Sequence, residues 1–254
     1  MFEKPFVLFM GPQRAGARVI YDYLRGRRDV CLPAGVQEVF FFDRHFHRGQ
    51  GFYQDYFPLR TNHAALAEVT TTLFDHPEAP QRVFEVFGRD ITLICPLREP
   101  VARAYAVYES SARYGIIHGG IEEAVEQMPQ ILHAGFYARH LARWFEVFGR
   151  DAVHIMFYED MEQDREAYFR GLCDAMDLPY RAFRQKGGFG RVLQSLLKPS
   201  AFVKPVMGFE EAKPFLCQKL AQEAGDLEAL LDKPLGRWED TWGRACVYDG
   251  ISET

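Results

Sequence analysis

Gly11 and Gly16, in FVLFMGPQRAGARVIYDYL (6–24), carry the G-x-x-x-x-G spacing of a phosphate-binding turn. Such a turn works through backbone N–H groups and a helix N-terminus aimed at an anion. A loop for Mg-ATP continues with Lys for the β- and γ-phosphates, then Ser or Thr for the metal. Ala17 and Arg18 stand there instead, which disfavours ATP hydrolysis and kinase chemistry. A cation does occur inside the loop, as Arg14, and its planar fork suits a phosphate or sulfate held without metal.

Three further segments hold chemistry-bearing residues. GVQEVFFFD (35–43) sets a lone carboxylate, Glu38, before an aromatic run. It is either a general base or an exposed turn carboxylate. LREPVARAYAVY (97–108) places Arg98 where an apolar run ends. At the carboxyl end of a parallel strand, that guanidinium faces the ligand crevice; its plainer role is a capping or paired arginine. LPYRAFRQKGGFG (178–190) offers Lys186 and Gly187 in a glycine context, where a solvated loop lysine is the competing reading. His45 and His47 follow in DRHFHRG; H-x-H without a third ligand is a feeble metal signal, so no metal site is expected.

These residues need strands and helices to position them. FVLFM (6–10), ITLICPL (91–97) and AVHIMFY (152–158) read as buried strands. Helices are expected after the glycine loop, over 77–87 and over 98–115 with Pro100 in the first turn. Further helices are expected over 136–149, 161–176 and about 212–232, with an irregular segment at 184–208. In 136–149, the stripe Tyr137, Leu141, Trp144, Phe145 and Phe148 reads as core packing. Strands alternating with helices imply an α/β fold with a central parallel sheet and right-handed crossovers.

The chain has 254 residues, 48% apolar and 15% aromatic, with no linker or repeat, so one domain over 1–254 is expected. A net charge of −5 argues against nucleic-acid and anionic-membrane partners, and the apolar runs are too short to span a bilayer. Arg25, Arg27 and Arg28 read as a solvated helix end. Strand-like sequence from about residue 6 argues against a leader peptide. The five cysteines show no C-x-x-C pair and no even framework, so neither disulfides nor metal ligation is expected, and a reducing cytoplasm fits. Cys95, within ITLICPL, reads as a buried thiol.

Taken together, the motifs resemble the sulfotransferase family that uses 3′-phosphoadenosine 5′-phosphosulfate (PAPS). GPQRAGARVIYDYL resembles its 5′-phosphosulfate loop, GVQEVFFFD its Lys-Glu-x-x-Phe-Phe segment and LREPVARAYAVY its 3′-phosphate motif. GFYARHLARWFEVFGRDAVHIMFYEDM (135–161) and LEALLDKPLGRW (227–238) match its habitual order. The resemblance implies a P-loop-like nucleotide-binding fold and SO₃ transfer from PAPS, without metal, to a hydroxyl or amine of a small molecule or carbohydrate.

It also implies roles for particular residues. Gly11, Pro12, Gln13, Arg14, Ala15, Gly16, Ala17 and Arg18 would line the phosphosulfate. Arg98 and Ala106 would meet the 3′-phosphate, and Lys186 with Gly187 would close over the nucleotide. Arg14 would stabilise the leaving group, and Glu38, or else His45, would be the base. Four positions depart from the family: Arg14 and Gln37 replace lysines, Ala17 replaces Ser or Thr, and Ala106 replaces a serine that Ser110 could partly cover. Arg18 faces either solvent or the phosphosulfate. A non-catalytic nucleotide-binding relative is the second reading, and a small-molecule kinase the third.

Overall fold

The computed structural model describes residues 2–183 and 207–238. Five strands form one parallel sheet: β1 (Phe6–Phe9), β2 (Val30–Cys31), β3 (Ala65–Val69), β4 (Thr92–Leu97) and β5 (Val153–Phe157), in the order β2-β3-β1-β4-β5. The chain runs from β1 out to β2, returns to β3, then crosses β1 to reach β4 and β5. The order therefore reverses direction beside β1, where open parallel sheets bind ligands at their carboxyl ends.

Helices follow the strands in sequence, as the strand–helix alternation implies. They are α1 (Ala17–Arg25), α2 (Gly49–Gln54), α3 (Ala79–Phe87), α4 (Pro100–Arg113), α5 (Ile121–Gln127), α6 (Gln130–His133), α7 (Tyr137–Phe148), α8 (Tyr158–Gln163), α9 (Arg165–Ala175) and α10 (Phe209–Leu231). The helix expected over 161–176 is two helices, because Asp164 leaves helical geometry and caps α9 through the Ala167 N–H at 3.0 Å. Two strands were not anticipated, β2 and β3. β3 reads ALAEV, two alanines and a glutamate in five residues, which is poor strand composition.

The chain divides into two compact units, Met1–Arg98 with Arg139–Gln185, and Glu99–Ala138 with Lys186–Thr254. In the first, Val7, Phe9, Ala67 and Val69 of the sheet pack against Ile20 and Leu24 of α1 and Phe169 and Leu172 of α9. Phe41, Tyr53, Phe57 and Phe87 add an aromatic cluster, with the Phe41 and Tyr53 rings stacked at 4.7 Å. Each such side chain contributes roughly 1.5–3 kcal/mol when fully buried. In the second unit, Val101, Ala104, Tyr108, Ile121 and Ile131 pack with Leu216 and Leu220 of α10. Arg103 is wholly buried there and donates to the Ile131 carbonyl, a structural role.

Two sequence expectations are corrected. Arg25 and Arg28 are exposed, but Arg27 is buried. Its guanidinium pairs with Asp29 at 2.8 Å and reaches the Tyr23 hydroxyl and the Pro179 carbonyl. Pro179 lies on the chain leaving α9, so the helix end is covered rather than solvated. Cys217 is disulfide-bonded, whereas Cys31, Cys95 and Cys173 are free and buried. A single bridge needs close Cβ atoms, not local spacing, so neither the odd count nor the missing C-x-x-C bears on it. Burial pushes the Cys95 thiol far up, as expected of a core cysteine. No helix among the described residues is long and apolar enough to cross a membrane.

Candidate active site

β1 continues pairing until the Met10 N–H, which donates to the Ile94 carbonyl at 3.0 Å. Gly11 then crosses Pro96 of β4. A Cβ on Gly11 would sit 2.2 Å from the Pro96 carbonyl oxygen, so only glycine allows the crossing. Pro96, which has no N–H, leaves no donor unpaired where β1 departs. Pro12 and Ala15 are buried, whereas Gln13 and Arg14 are exposed. Arg14 (φ 69°) and Gly16 (φ 96°) take left-handed backbone, a conformation that costs a non-glycine residue roughly 1–2 kcal/mol.

Such strain concentrates where backbone is held for a ligand. α1 begins at Ala17 without a side-chain cap; the Val19 and Ile20 N–H groups donate to the Gly16 carbonyl, and no side chain caps the Ala17 and Arg18 amides ahead of them. A narrow crossing at Gly11, a left-handed Gly16 and an uncapped helix start are what an anion cradle requires.

Arg98 ends β4 on one side of the loop. Its Nη1 donates to the Arg14 carbonyl at 3.4 Å, and its guanidinium lies over the Tyr158 ring at 4.7 Å. Tyr158, the first residue after β5, also backs Gly16, where a Cβ would meet its ring at 3.1 Å. Sequence reasoning missed Tyr158, whose only signal is its place at a strand's carboxyl end.

Glu38 lies on the other side of β1. Its carboxylate accepts from the Thr71 N–H at 3.1 Å and from the Thr70 and Thr71 hydroxyls at 3.3 and 3.2 Å. Thr70 in turn donates its N–H to the Phe9 carbonyl at 3.0 Å. The end of β3 therefore holds Glu38 beside the strand that launches the loop. The carboxylate is half-buried and multiply bonded, not the exposed turn residue of the plainer reading.

Glu68, which the sequence analysis did not single out, sits beneath it at 1% exposure. It accepts from the Val39 N–H at 2.8 Å and the Tyr53 hydroxyl at 2.6 Å. Burial, with Glu38 and Asp43 adding to it, pushes its carboxyl up to about 7.

The segment after Glu38 turns sharply. Phe40 is left-handed (φ 55°) and its carbonyl receives the N–H groups of Arg44 and His45. Of the aromatic run, Phe41 and Phe42 are core. Outward, Arg44 covers the Phe40 ring at 4.5 Å and Arg48 covers Phe52 at 3.7 Å. His45 is half-buried near Phe52, and His47 is exposed.

Arg18 takes the solvent-facing alternative, paired with Asp22 at 2.9 Å. Ala106 and Ser110 lie on α4 in the second unit; Lys186 and Gly187 lie outside the described residues. No group of three or more metal-capable side chains occurs among the described residues.

A five-stranded parallel sheet with a glycine-bearing loop at its switch point defines the class as an α/β protein. Within that class, the chain belongs to the sulfotransferase domain family, whose model matches residues 4–202. It is 26% identical over 251 residues to mouse heparan sulfate glucosamine 3-O-sulfotransferase 3B1, covering 95% of this chain and 58% of that protein. It is 25% identical over 249 residues to mouse bifunctional heparan sulfate N-deacetylase/N-sulfotransferase 2, covering 89% of this chain and 26% of that protein. The chain thus spans only part of the length of these relatives. Among solved structures, a sulfotransferase from Alicyclobacillus acidocaldarius shares the fold, with a TM-score of 0.70 at 20% identity, over 94% of this chain and 99% of that one.

Proposed function

We propose that this chain transfers a sulfuryl group from PAPS to a hydroxyl or amine of a glucosamine-containing glycan. One observation carries the reading: the Gly11–Gly16 loop, Arg98 and Glu38 are held at the carboxyl ends of three neighbouring strands, β1, β4 and β3. The donor's 5′-phosphosulfate suits the loop, whose fit rests on the Gly11 crossing and the uncapped start of α1. Arg98 suits its 3′-phosphate.

In the transfer, the acceptor oxygen or nitrogen bonds to sulfur and gives its proton to Glu38. The bond from sulfur to the 5′-phosphate oxygen breaks, and that oxygen keeps the electron pair. Loop amides and Arg14 balance the charge it gains. Arg14 does so by charge and hydrogen bonding alone, since a guanidinium does not hand over its proton. His45 is the second candidate for the base.

The acceptor class draws on the names of the relatives, which act on heparan sulfate glucosamine. It also draws on the rim after Glu38, where Arg44 and Arg48 lie over aromatic rings. Flat faces beside cations suit an anionic sugar chain.

The test is thermal shift with 3′-phosphoadenosine 5′-phosphate (PAP), followed by transfer of labelled sulfate from PAPS to heparan sulfate. PAP is expected to stabilise the protein without added metal and equally in EDTA. A shift seen only with ATP and magnesium would overturn the reading. A second reading, a nucleotide-binding relative without turnover, is favoured by Arg14, Gln37 and Ala106, which stand where the family has Lys, Lys and Ser. Stabilisation by PAP with no transfer selects it.

A further inference from the structure

We propose that Glu68 is a positioning residue that aims Glu38 at the acceptor, an inference that rests on Glu38 being the base. Glu68 and Glu38 belong to different elements, yet residues 68–71 grip residues 38–39 twice. Glu68 takes the Val39 backbone N–H at 2.8 Å, while Thr70 and Thr71 take the Glu38 carboxylate itself. The Tyr53 hydroxyl, at 2.6 Å, holds the other Glu68 oxygen.

The next residue, Phe40, is left-handed at φ 55°, an outlier for a bulky side chain. Such a conformation persists only where the surroundings impose it. Burying a carboxyl in a sheet interior is costly unless its hydrogen bonds require it. Here the two donors it serves are the backbone beside Glu38 and the tyrosine beneath that turn. The titratable groups facing it are Tyr53 from α2, Glu38 from the turn and Asp43 from the residues that follow. A glutamine, equal in length and able to accept from Val39 while donating to the Tyr53 oxygen, should preserve the grip. An aspartate keeps the charge but withdraws the acceptor by one carbon–carbon bond, roughly 1.5 Å.

The experiment compares Glu68→Asp and Glu68→Gln in the full chain, with PAPS and heparan sulfate as substrates. A misplacement of about 1 Å costs on the order of 10²-fold in rate. Glu68→Asp should therefore lose about that much kcat, with both KM values and the PAP Kd within roughly 3-fold, and Glu68→Gln should stay within roughly 3-fold of the parent throughout. In a Glu38→Gln background, Glu68→Asp should cost nothing further, because the group it aims is gone.

An unchanged kcat in Glu68→Asp overturns the proposal. So does a loss that PAP affinity and melting temperature share in step, which marks a merely structural residue. An activity-free readout separates failure of the acceptor reading from failure of this one. With ¹³C-carboxyl glutamate labelling, the Glu38 resonance should move in Glu68→Asp and hold in Glu68→Gln. If heparan sulfate is not turned over at all, an unmoved Glu38 resonance in Glu68→Asp still refutes the role of Glu68.

Discussion

Replacing Gly11 with alanine tests the loop directly. The added methyl would lie 2.2 Å from the Pro96 carbonyl oxygen and 2.8 Å from its ring carbons, where real Cβ contacts under 3.0 Å are essentially never found. The obstacle is backbone and a proline ring near the carboxyl end of β4, still paired to β5, so it cannot swing aside. The loop must instead rise by at least about 0.8 Å, the shortfall between 2.2 and 3.0 Å. Over-packing of this kind costs roughly 1–3 kcal/mol of stability.

The larger effect falls on the ligand. An N–H donor at about 2.9 Å from a phosphate oxygen, lifted by that amount, leaves hydrogen-bonding range. One bond to a charged group contributes about 1.5–3 kcal/mol, so PAP affinity should fall about 10–150-fold per bond lost. Calorimetric titration of PAP reads this, with circular dichroism verifying that the variant is folded. Gly171→Ala is the control, since a Cβ there meets nothing within 4 Å inside α9. It should bind PAP normally and gain roughly 0.5–1 kcal/mol of stability. A folded Gly11→Ala protein with parental PAP affinity would refute the assignment of the loop to the 5′ anion.

Other outcomes follow from the same geometry. Arg98→Ala should weaken PAP about 10–150-fold through loss of a charge-assisted bond, but barely affect adenosine 5′-phosphosulfate, which lacks the 3′-phosphate; equal losses would make Arg98 a support of the fold. Stability should fall as pH rises from about 4.5 to about 7, because the folded carboxyls of Glu68 and Glu223 are pushed from 4.5 up to about 7 by burial and so bind protons that the unfolded chain has already released. Each contributes on the order of 3 kcal/mol at most, the gain being fully present below the unfolded value and gone above about 7. Melting curves across that window should flatten for Glu68→Gln and again for Glu223→Gln, and a flat curve for the parent protein contradicts the burial argument. Glu38→Gln should lower turnover about 10²-fold or more while leaving PAP affinity nearly unchanged, and intact turnover there with its loss in His45→Ala moves the base to His45.

Local features of this protein were legible in its sequence. FVLF and TLICPL announce buried parallel strands, because a strand covered on both faces tolerates little but apolar residues. The Gly11–Gly16 spacing announces a tight turn, since a close crossing and a left-handed turn are demands on consecutive backbone that only certain residue types meet. Arg98 is placed by its position at a strand end alone.

What pairs across the fold was decided by tertiary structure. Glu38 meets Thr71 over a separation of 33 residues, and Glu68 meets Val39 over 29. No local pattern encodes either pairing. β3 itself is a strand because Phe6–Phe9 and Val30–Cys31 supply parallel neighbours on both sides, which outweighs the weak strand preference of ALAEV. The same holds for Arg27, whose arginine-rich surroundings in sequence suggest solvent until Pro179 and Cys173 close over it. Propensity and spacing act along the chain, whereas burial and hydrogen-bond partnership are set by residues that only the completed sheet brings together.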